Sequence, residues 1–314
     1  MKVCAITMVR DDLFFIKKWI KYYGNQIGEE HLFILLHGNS QEIRALSHRA
    51  NFINLPARDL DTIGSEKFNR DRFKLINELA NNLQNYYEFV IVVDVDEFLM
   101  VDPGLNRSLV EYLSMRPEPV TLTPIGLDVI QHLDFDNMTI DLEAPILKQR
   151  PHCKIEPLYC KPVVTNKKIK RSNGNHAAND PNLRWGEGLF LFHLKWMDRY
   201  FAIGNHSRRE TLKTGDERSL EIFPSDLGLN SKRKESINMR YDRIRQLRRC
   251  DRFDFTHEKK IYNKSWRRRR FLFQVDFWRC VANLNLSAYS FHYRFDLVRF
   301  ESIHIIPERF RDAL

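Results

Sequence analysis

Cysteine is scarce in this sequence of 314 residues and follows no recognisable pattern. The five cysteines are odd in number and include no C-x-x-C pair. Neither a zinc ribbon nor a disulfide framework is therefore indicated, and a reducing compartment fits best. The G-x-G-x-x-G, G-x-x-x-x-G-K-(S/T), H-E-x-x-H and G-x-S-x-G patterns are also absent. Dinucleotide and P-loop sites accordingly lose support.

Long uninterrupted apolar runs are missing as well. The longest apolar stretch, at 89–101, is broken by three carboxylates and falls far short of the roughly 20 residues that a spanning helix needs. The opening residues lack the basic, apolar and small-residue layout of a secretion signal. We therefore expect a cytoplasmic protein that is soluble or peripherally bound at the inner face of a membrane.

Positive charge exceeds negative charge, and the formal net charge is +9. An anionic partner is therefore expected, such as a nucleotide, a membrane surface, a nucleic acid or an acidic glycan. Arg267–Arg270 stand between Trp266 and Phe271, a mixture that suits single-stranded nucleic acid. No nucleic-acid-binding module is recognisable, so we expect no nucleic-acid partner and favour contact with an anionic membrane. A solvated helix face is the competing interpretation.

Short β-rich runs alternate with amphipathic runs in the first half of the sequence. The pattern predicts strands over 3–7, 31–36, 52–55 and 89–93, and helices over 13–23, 41–49 and 66–83. This order predicts an α/β fold with a doubly wound, mostly parallel, Rossmann-like sheet. We expect it to span residues 1–205, followed by a basic helical extension over 206–314, whose tail at 300–310 carries isoleucines that indicate an edge strand packing back on the sheet. Ligands of such sheets bind at the carboxyl ends of the strands.

The sharpest chemical signal is an acidic cluster directly after the predicted strand 89–93. Asp94, Asp96 and Glu97 follow an unbroken apolar run. Neighbouring carboxylates stay ionised together only when a cation neutralises them. Residues two apart on an extended chain point to one side, so Asp94 and Asp96 suit two oxygen ligands of one Mg²⁺ or Mn²⁺ ion. The competing interpretation is an acidic turn that caps the next element.

Two enzyme classes place such carboxylates at a strand end. One is the Mg²⁺-dependent phosphatases of the haloacid dehalogenase-like class, whose apolar strand ends in D-x-D-x-(T/V). The first aspartate of that motif is the nucleophile, which corresponds to Asp94 here. Glu97 and Phe98 stand where Thr or Val is expected, and three predicted strand–helix units precede the motif. The resemblance to this class is therefore incomplete.

The other class is the metal-dependent, nucleotide-sugar glycosyltransferases of the GT-A fold. The run Asp94-Val95-Asp96-Glu97-Phe98 is similar to the D-x-D-E-F element of the family 92-like (DUF23-type) branch. Further similar elements follow the family's order at 7–12, 15–23, 37–40, 161–164, 174–176 and 191–195. His37 replaces the acid that is usual after the second strand. The sequence thus resembles a family 2-like or family 92-like GT-A glycosyltransferase over about its first 200 residues.

The resemblance implies a transfer reaction and roles for individual residues. A sugar would pass from a nucleotide-sugar, with uridine as the expected nucleoside, to a glycan or lipid-linked glycan acceptor in surface polysaccharide synthesis. The ion, Mn²⁺ or Mg²⁺, would be bound by Asp94, Asp96 and His193, although a core histidine fits the last position equally well. The implied nucleotide-sugar contacts are Thr7, Val9, Arg10, Asn39, Arg70, Asp71, Arg72, Asp94, Val95 and Lys195.

Three acids and one histidine are the catalytic candidates. Glu97, Asp128 and Glu187 are candidate bases for an acceptor hydroxyl, and His176 is a candidate contact to phosphate or acceptor. An ordinary surface carboxylate is the competing interpretation for each acid. Two other functions stay open, namely the phosphatase with Asp94 as nucleophile and a non-enzymatic basic protein that binds nucleic acid or membrane.

Overall fold

The fold is α/β, as predicted, in the part of the chain that the computed structural model describes. That part comprises residues 1–57, 65–116, 118–171, 178–180, 183–205, 231–260 and 302–314. Its first strands are β1 (Val3–Val9), β2 (Leu32–His37), β3 (Asn51–Leu55) and β4 (Phe89–Val92), and its first helices are α1 (Leu13–Ile27), α2 (Gln41–Arg44) and α3 (Ser65–Leu83). These strands lie in the order β3-β2-β1-β4 and pair in parallel, which confirms the prediction for this half.

Both faces of these parallel strands are buried, because successive side chains point to opposite sides of a strand. Ala5 of β1 lies in the core that α1 covers with Trp19. Ile6, the next residue, lies in a second core that α3 covers with Ile76. Strand β4 consists of apolar residues alone, as expected of a strand covered on both faces.

Beyond β4 the sheet becomes mixed. The elements there are β5 (Glu97–Val101), α4 (Leu109–Ser114), β6 (Thr121–Val129), α5 (Ile146–Gln149), β7 (His152–Ile155), β8 (Val164–Thr165) and β9 (Leu183–His193). β8 joins the two halves, since it pairs antiparallel with both β4 and β6. β9 pairs in parallel with β6 and antiparallel with β5. The predicted parallel arrangement therefore holds for the first half, and antiparallel pairs prevail after it.

The C-terminal region contributes strands to the same sheet as well as a helix. Its described elements are α6 (Ser231–Arg245), β10 (Arg248–Cys250) and β11 (Ser302–Ile305). β11 pairs with β7, and β10 pairs with β11, so the sheet runs β10-β11-β7-β6-β8-β4-β1-β2-β3. β10 is thus a strand where the sequence predicted helix, whereas β11 lies in the tail where the isoleucines indicated a strand. The basic run Arg267–Arg270 lies outside the described residues, and the boundary at 205 stays a prediction.

Helix α6 buries one apolar stripe. Three residues of this stripe form a small core with two isoleucines of the sheet side. The stripe residues are Ile237, Tyr241 and Ile244; Ile130 directly follows β6, and Ile303 lies on β11. The three positions of α6 have the helical spacing that places side chains on one face. In the segments that the structure describes, no helix combines the length and the apolar character needed to cross a bilayer.

Candidate active site

The carboxyl ends of the parallel strands meet at one edge of the sheet. β1 pairs in parallel with β2 and with β4, so the residues that follow these strands share that edge. The structure thereby brings together three predicted groups, namely Thr7, Val9 and Arg10 at the end of β1, Asn39 after β2, and Asp94 after β4. Thr7 and Val9 are buried, whereas Asn39 is exposed. Doubly wound sheets bind their ligands at this edge.

The chain turns back directly after β4, and the turn carries the three acidic residues. The Glu97 amide donates to the Asp94 carbonyl at 3.1 Å, and the Asp94 amide donates to Glu97 Oε2 at 2.9 Å. Because the backbone is turned here, the predicted extended-chain alternation of Asp94 and Asp96 is wrong. Asp94 instead pairs with a side chain of α3, and Asp96 faces a side chain of β9.

Two cations neutralise the first and third carboxylates of this turn. Arg72, on α3, forms an ion pair with Asp94. The Lys161 ammonium lies 2.6 Å from Glu97 Oε1 and 3.9 Å from Asp94 Oδ2. The Lys161 and Glu97 side chains are 1% and 0% exposed, so this pair is withdrawn from water. The protein itself thus supplies part of the positive charge that the acidic turn requires.

The pKa shifts of these groups follow from burial and from the neighbouring charges. Burial raises the pKa of Asp94, but Arg72 and Lys161 outweigh it, so this pKa lies below its usual value. Burial also raises the pKa of Glu97, and there it prevails over the opposing effect of Lys161. Burial lowers the pKa of Lys161, but Glu97 and Asp94 raise it above its usual value. Asp94 is therefore ionised near neutral pH, and Lys161 is protonated.

His193, the last residue of β9, is held between two carboxylates. Its Nδ1 donates to Asp128 Oδ1 at 2.6 Å, and its Nε2 lies 3.5 Å from Asp96 Oδ2. The imidazole stacks on the ring of Tyr159, with the centroids 3.9 Å apart. Burial alone would lower the pKa of His193, but Asp96 and Asp128 raise it to about 9. The histidine is therefore a cation here and balances its two carboxylates.

Asp128 has a second partner, and it comes from the C-terminal region. Arg240 of α6 donates from Nη2 to Asp128 Oδ2 at 2.8 Å, and its guanidinium lies 4.0 Å from the ring centroid of Trp196. The Tyr241 hydroxyl donates to the Trp196 carbonyl at 2.9 Å. Burial raises the pKa of Asp128, but the His193 and Arg240 contacts lower it below its usual value. An ionised Asp128 thus orients the imidazole, and Arg240 orients Asp128.

Gly126 of β6 explains how Tyr159 reaches the imidazole. A Cβ at position 126 would lie 2.2 Å from the carbonyl carbon of Tyr159, far inside contact distance. The Gly126 carbonyl accepts from the Glu156 amide at 2.9 Å, and the Gly126 amide donates to Cys160 Sγ at 3.3 Å. The backbone of 156–160 therefore lies directly on β6. Only a residue without a side chain allows this approach, which places Tyr159 against His193.

The Asp96 and His193 side chains fit two ligands of one divalent cation. The 3.5 Å between Oδ2 and Nε2 is long for a hydrogen bond and suits two donors that each lie about 2.1 Å from a shared ion. A ligating histidine typically gives its other nitrogen to a carboxylate, as His193 does to Asp128. Among the described residues, no group of three His, Cys, Asp or Glu side chains is arranged around a metal position. A cation bound here would need further oxygen ligands, and His193 would release its proton when it binds the cation.

Three neighbouring predicted residues on α3 are placed differently. Arg70 is exposed, and Asp71 pairs with a lysine one turn earlier on the helix at 2.9 Å. Arg72, the third, pairs with Asp94 and is the member of this trio that reaches the acidic turn. A helix turns by about 100° per residue, which explains why adjacent positions on α3 have such different surroundings.

Glu187, a predicted base, lies on β9 at a distance from the acidic turn. His193 pairs with the first residue of β5, and residue 189 pairs with the last. Glu187 therefore lies beyond the opposite end of β5. Its side chain is 80% exposed and pairs with Lys259 at 3.2 Å. The structure thus does not bring Glu187 to the imidazole.

The remaining predicted residues lie around the turn and after β9. Val95 is buried within the acidic turn. Lys195 follows β9, and its ammonium lies 5.2 Å from the ring centroid of Trp196. His176 lies outside the described residues. Tyr159 and Arg240 were not among the predicted site residues, although both contact the His193–Asp128 pair.

The solved structures that resemble this chain include two of low sequence identity. No protein-family model matches the chain, and no curated protein matches it in sequence. One similar solved structure is the galactosyltransferase LgtC in complex with donor and acceptor sugar analogs, at 14% identity and a TM-score of 0.22 over 44% of this chain and 49% of that one. Another is a mannose-1-phosphate geranyltransferase from Thermus thermophilus, at 12% identity and a TM-score of 0.27 over 73% of this chain and 71% of that one. The chain spans about half of the galactosyltransferase, and both TM-scores are too low to bear on its function.

Proposed function

We propose that this chain is a GT-A glycosyltransferase that uses a divalent cation, Mn²⁺ or Mg²⁺. It would transfer a sugar from a UDP-sugar to a glycan or lipid-linked glycan acceptor in surface polysaccharide synthesis. The observation that carries the proposal is the Asp96–His193 pair, whose side-chain atoms lie 3.5 Å apart at the carboxyl edge of the parallel strands. Asp128 holds the imidazole of this pair through its bond to Nδ1. This geometry agrees with the role that the D-x-D-E-F resemblance implies for Asp96.

The donor would bind across the ends of the first two strands. Thr7, Val9 and Arg10 at the end of β1, together with Asn39 after β2, would contact the nucleoside. The Arg10 side chain is 32% exposed and pairs with its neighbour Asp11 at 3.2 Å, so its guanidinium is accessible to a ligand. Arg72 would lie toward the diphosphate, where charge-assisted hydrogen bonds to phosphate oxygens are strong.

The side chains around the acidic turn divide into ligands and positioning residues. Asp96 and His193 would hold the ion directly, and Asp94 would contact it through water, because Asp94 already pairs with Arg72. When bound, the cation would stabilise the charge that develops on the leaving diphosphate. Asp128 keeps the imidazole in one orientation through its bond to Nδ1. Such supporting bonds tune the affinity of a site for its metal.

The two buried acids that were candidate bases are better suited to positioning. Asp128 is 1% exposed and bonds to His193 and Arg240. Glu97 is 0% exposed and pairs with Lys161. A base must come within hydrogen-bond reach of the hydroxyl it deprotonates, which would require either acid to leave its partners. The proposal therefore assigns neither of them to proton transfer.

An assay of donor hydrolysis and enzyme phosphorylation separates this proposal from the phosphatase, in which Asp94 is the nucleophile. With Mn²⁺ and without acceptor, the protein should slowly release UDP from a UDP-sugar. Asp94→Asn should lower that rate about 10-fold or more, because loss of a carboxylate that supports a metal site typically has this effect. Neither protein should become labelled by a radioactive aryl phosphate.

Asp134→Asn is the matched control for this assay. Asp134 is a surface carboxylate that pairs with Arg245 at 2.6 Å, so its variant should keep the wild-type rate. A phosphorylated Asp94 would contradict the proposal and favour the phosphatase. Failure to release any nucleotide, together with vesicle binding that survives Asp94→Asn, would favour the non-enzymatic alternative.

A further inference from the structure

Arg171 carries a buried positive charge that no described carboxylate balances. The residue is 7% exposed. Its Nε donates to the Pro162 carbonyl at 3.4 Å, whereas Nη1 and Nη2 are buried without a hydrogen-bond partner. Burial lowers the pKa of Arg171 to about 10, so the guanidinium is still charged at neutral pH. An unpaired buried charge is costly, and proteins normally pair it.

Other deeply buried cations in the described segments follow that rule. Lys161 is 1% exposed and pairs with Glu97 at 2.6 Å. Arg150 is also 1% exposed and pairs with Asp198 at 2.6 Å. Arg171 departs from this pattern with two donor nitrogens that point to no acceptor. A buried donor without a partner in a native structure calls for an explanation, and a bound ion is one such explanation.

The backbone holds Arg171 firmly in its place beside α3. The Asn77 amide group donates to the Arg171 carbonyl at 3.0 Å, and the Arg171 amide donates to Asn77 Oδ1 at 3.2 Å. Similar bonding continues one turn along the helix, where Asn81 donates to the Ile169 carbonyl at 2.9 Å. The backbone of Arg171 is thus fixed on α3, which holds the base of the side chain in place before any ligand binds.

Arg171 lies close to the cations of the acidic turn. Asn77 is five positions after Arg72 on α3, which corresponds to about 7.5 Å along the helix axis. The carbonyl that Arg171 contacts belongs to Pro162, the residue after Lys161. Arg72 and Lys161 are both engaged by carboxylates of the turn. Arg171 is therefore the one of these three cations that no described carboxylate engages.

We propose that Arg171 binds a phosphate group of the ligand, through the N–H groups of Nη1 and Nη2. A guanidinium presents these donors in a planar fork that matches two phosphate oxygens. The identification of the phosphate as part of a nucleoside diphosphate rests on the proposed function. The binding of a phosphate-type anion does not, and free pyrophosphate can be used to test it.

The test is a pyrophosphate titration, in EDTA, of the full-length wild type, Arg171→Met and Arg184→Met, followed by calorimetry and thermal unfolding. Arg184 is a control because it is 60% exposed and pairs with a surface carboxylate at 3.5 Å. Pyrophosphate should raise the unfolding temperature of the wild type and of Arg184→Met but not of Arg171→Met. Without ligand, Arg171→Met should unfold at the same temperature or higher, because the unpaired charge is gone.

An equal pyrophosphate shift in wild type and Arg171→Met would overturn the inference, as would the absence of any pyrophosphate shift in the wild type. If the Met variant does not fold, Arg171→Lys keeps the charge but loses the planar fork, and it should bind pyrophosphate at least about 10-fold more weakly. Arg171-dependent pyrophosphate binding without any binding of UDP when Mn²⁺ is supplied would sustain the inference and contradict the proposed function. UDP binding that is equally tight in wild type and Arg171→Met would contradict the inference and sustain the proposed function.

Discussion

Replacing Lys161 with Met is expected to lower the free energy of unfolding by about 3–5 kcal/mol near pH 8, since this removes one partner of a buried ion pair. Glu97 would then keep a charge that is fully withdrawn from water. Burial already raises the pKa of Glu97, so the folded protein binds this proton more tightly than the unfolded chain does. Stability should therefore fall as the pH rises from the unfolded value, about 4.3, through the raised folded pKa. Urea unfolding at several pH values measures this.

Two further variants make the expected loss specific to the buried pair. Lys154→Met is the control, because Lys154 pairs with Glu156 at 3.5 Å and is 25% exposed; it should cost about 1 kcal/mol or less. Adding Glu97→Gln to Lys161→Met removes the stranded carboxylate and should restore part of the loss and abolish its pH dependence. A Lys161→Met protein as stable as Lys154→Met, at every pH, would contradict the account of the acidic turn.

Asp128→Asn is expected to lower kcat/KM about 10- to 100-fold, because supporting bonds to a ligating histidine are worth that much. The neutral amide cannot hold a protonated imidazole as a carboxylate does, so the pKa of His193 should fall below its present value of about 9. Arg240 would lose its charged partner at the same time. The measurements are the rate with the identified donor and the titration of His193 by NMR.

The matched control is Asp136→Asn, which alters a second buried Asp–His pair in the same protein. Asp136 Oδ2 lies 2.8 Å from His152 Nδ1, and the two side chains are 4% and 5% exposed. Both variants should lose some stability, but only Asp128→Asn should lose most of its activity. Equal activity in the two variants would show that the support behind His193 has no functional role.

The first half of the fold could be predicted because its strands and helices have clear periodicity and alternate in the order of a parallel sheet. The predicted end of α2 was wrong, because the pattern predicted a helix to residue 49, whereas the helix ends at Arg44. Ser47 explains the difference, because its hydroxyl accepts from the amides of Arg49 and Ala50. Such a local bond competes with helix formation and leaves little trace in the apolar pattern.

The C-terminal strands were harder to predict. β10 has three residues, two of them arginine, and nothing in that composition favours a strand. The isoleucines of β11 did indicate a strand near the end of the chain, which the structure confirms. It was expected at the edge of the sheet, but it lies between β7 and β10. The lateral order of strands depends on contacts between residues far apart in sequence, which periodicity does not encode.

The site could be predicted only in part. The apolar strand that ends in carboxylates located Asp94 and Asp96, but the turn between them and the cations that face them depend on tertiary packing. Arg240 did leave a signal, since it stands three residues after Ile237 and four before Ile244 and thus falls within the apolar stripe of α6. A charged residue in a buried stripe is expected to have a charged partner. Tyr159 left no comparable signal, because it depends on the close approach to Gly126.

The most direct test of the central claim is calorimetric titration of the purified protein with UDP, GDP and CDP, each with and without Mn²⁺. Asp96→Asn is the test variant, and Asp102→Asn is its control, because Asp102 pairs with Arg309 at 2.6 Å, just past the far end of β5. We predict that UDP binds far more tightly with Mn²⁺ than without it, that Asp96→Asn abolishes this difference, and that Asp102→Asn keeps it. Absence of binding by any of the three nucleotides, or an effect of Mn²⁺ that persists in Asp96→Asn, would contradict the proposed glycosyltransferase.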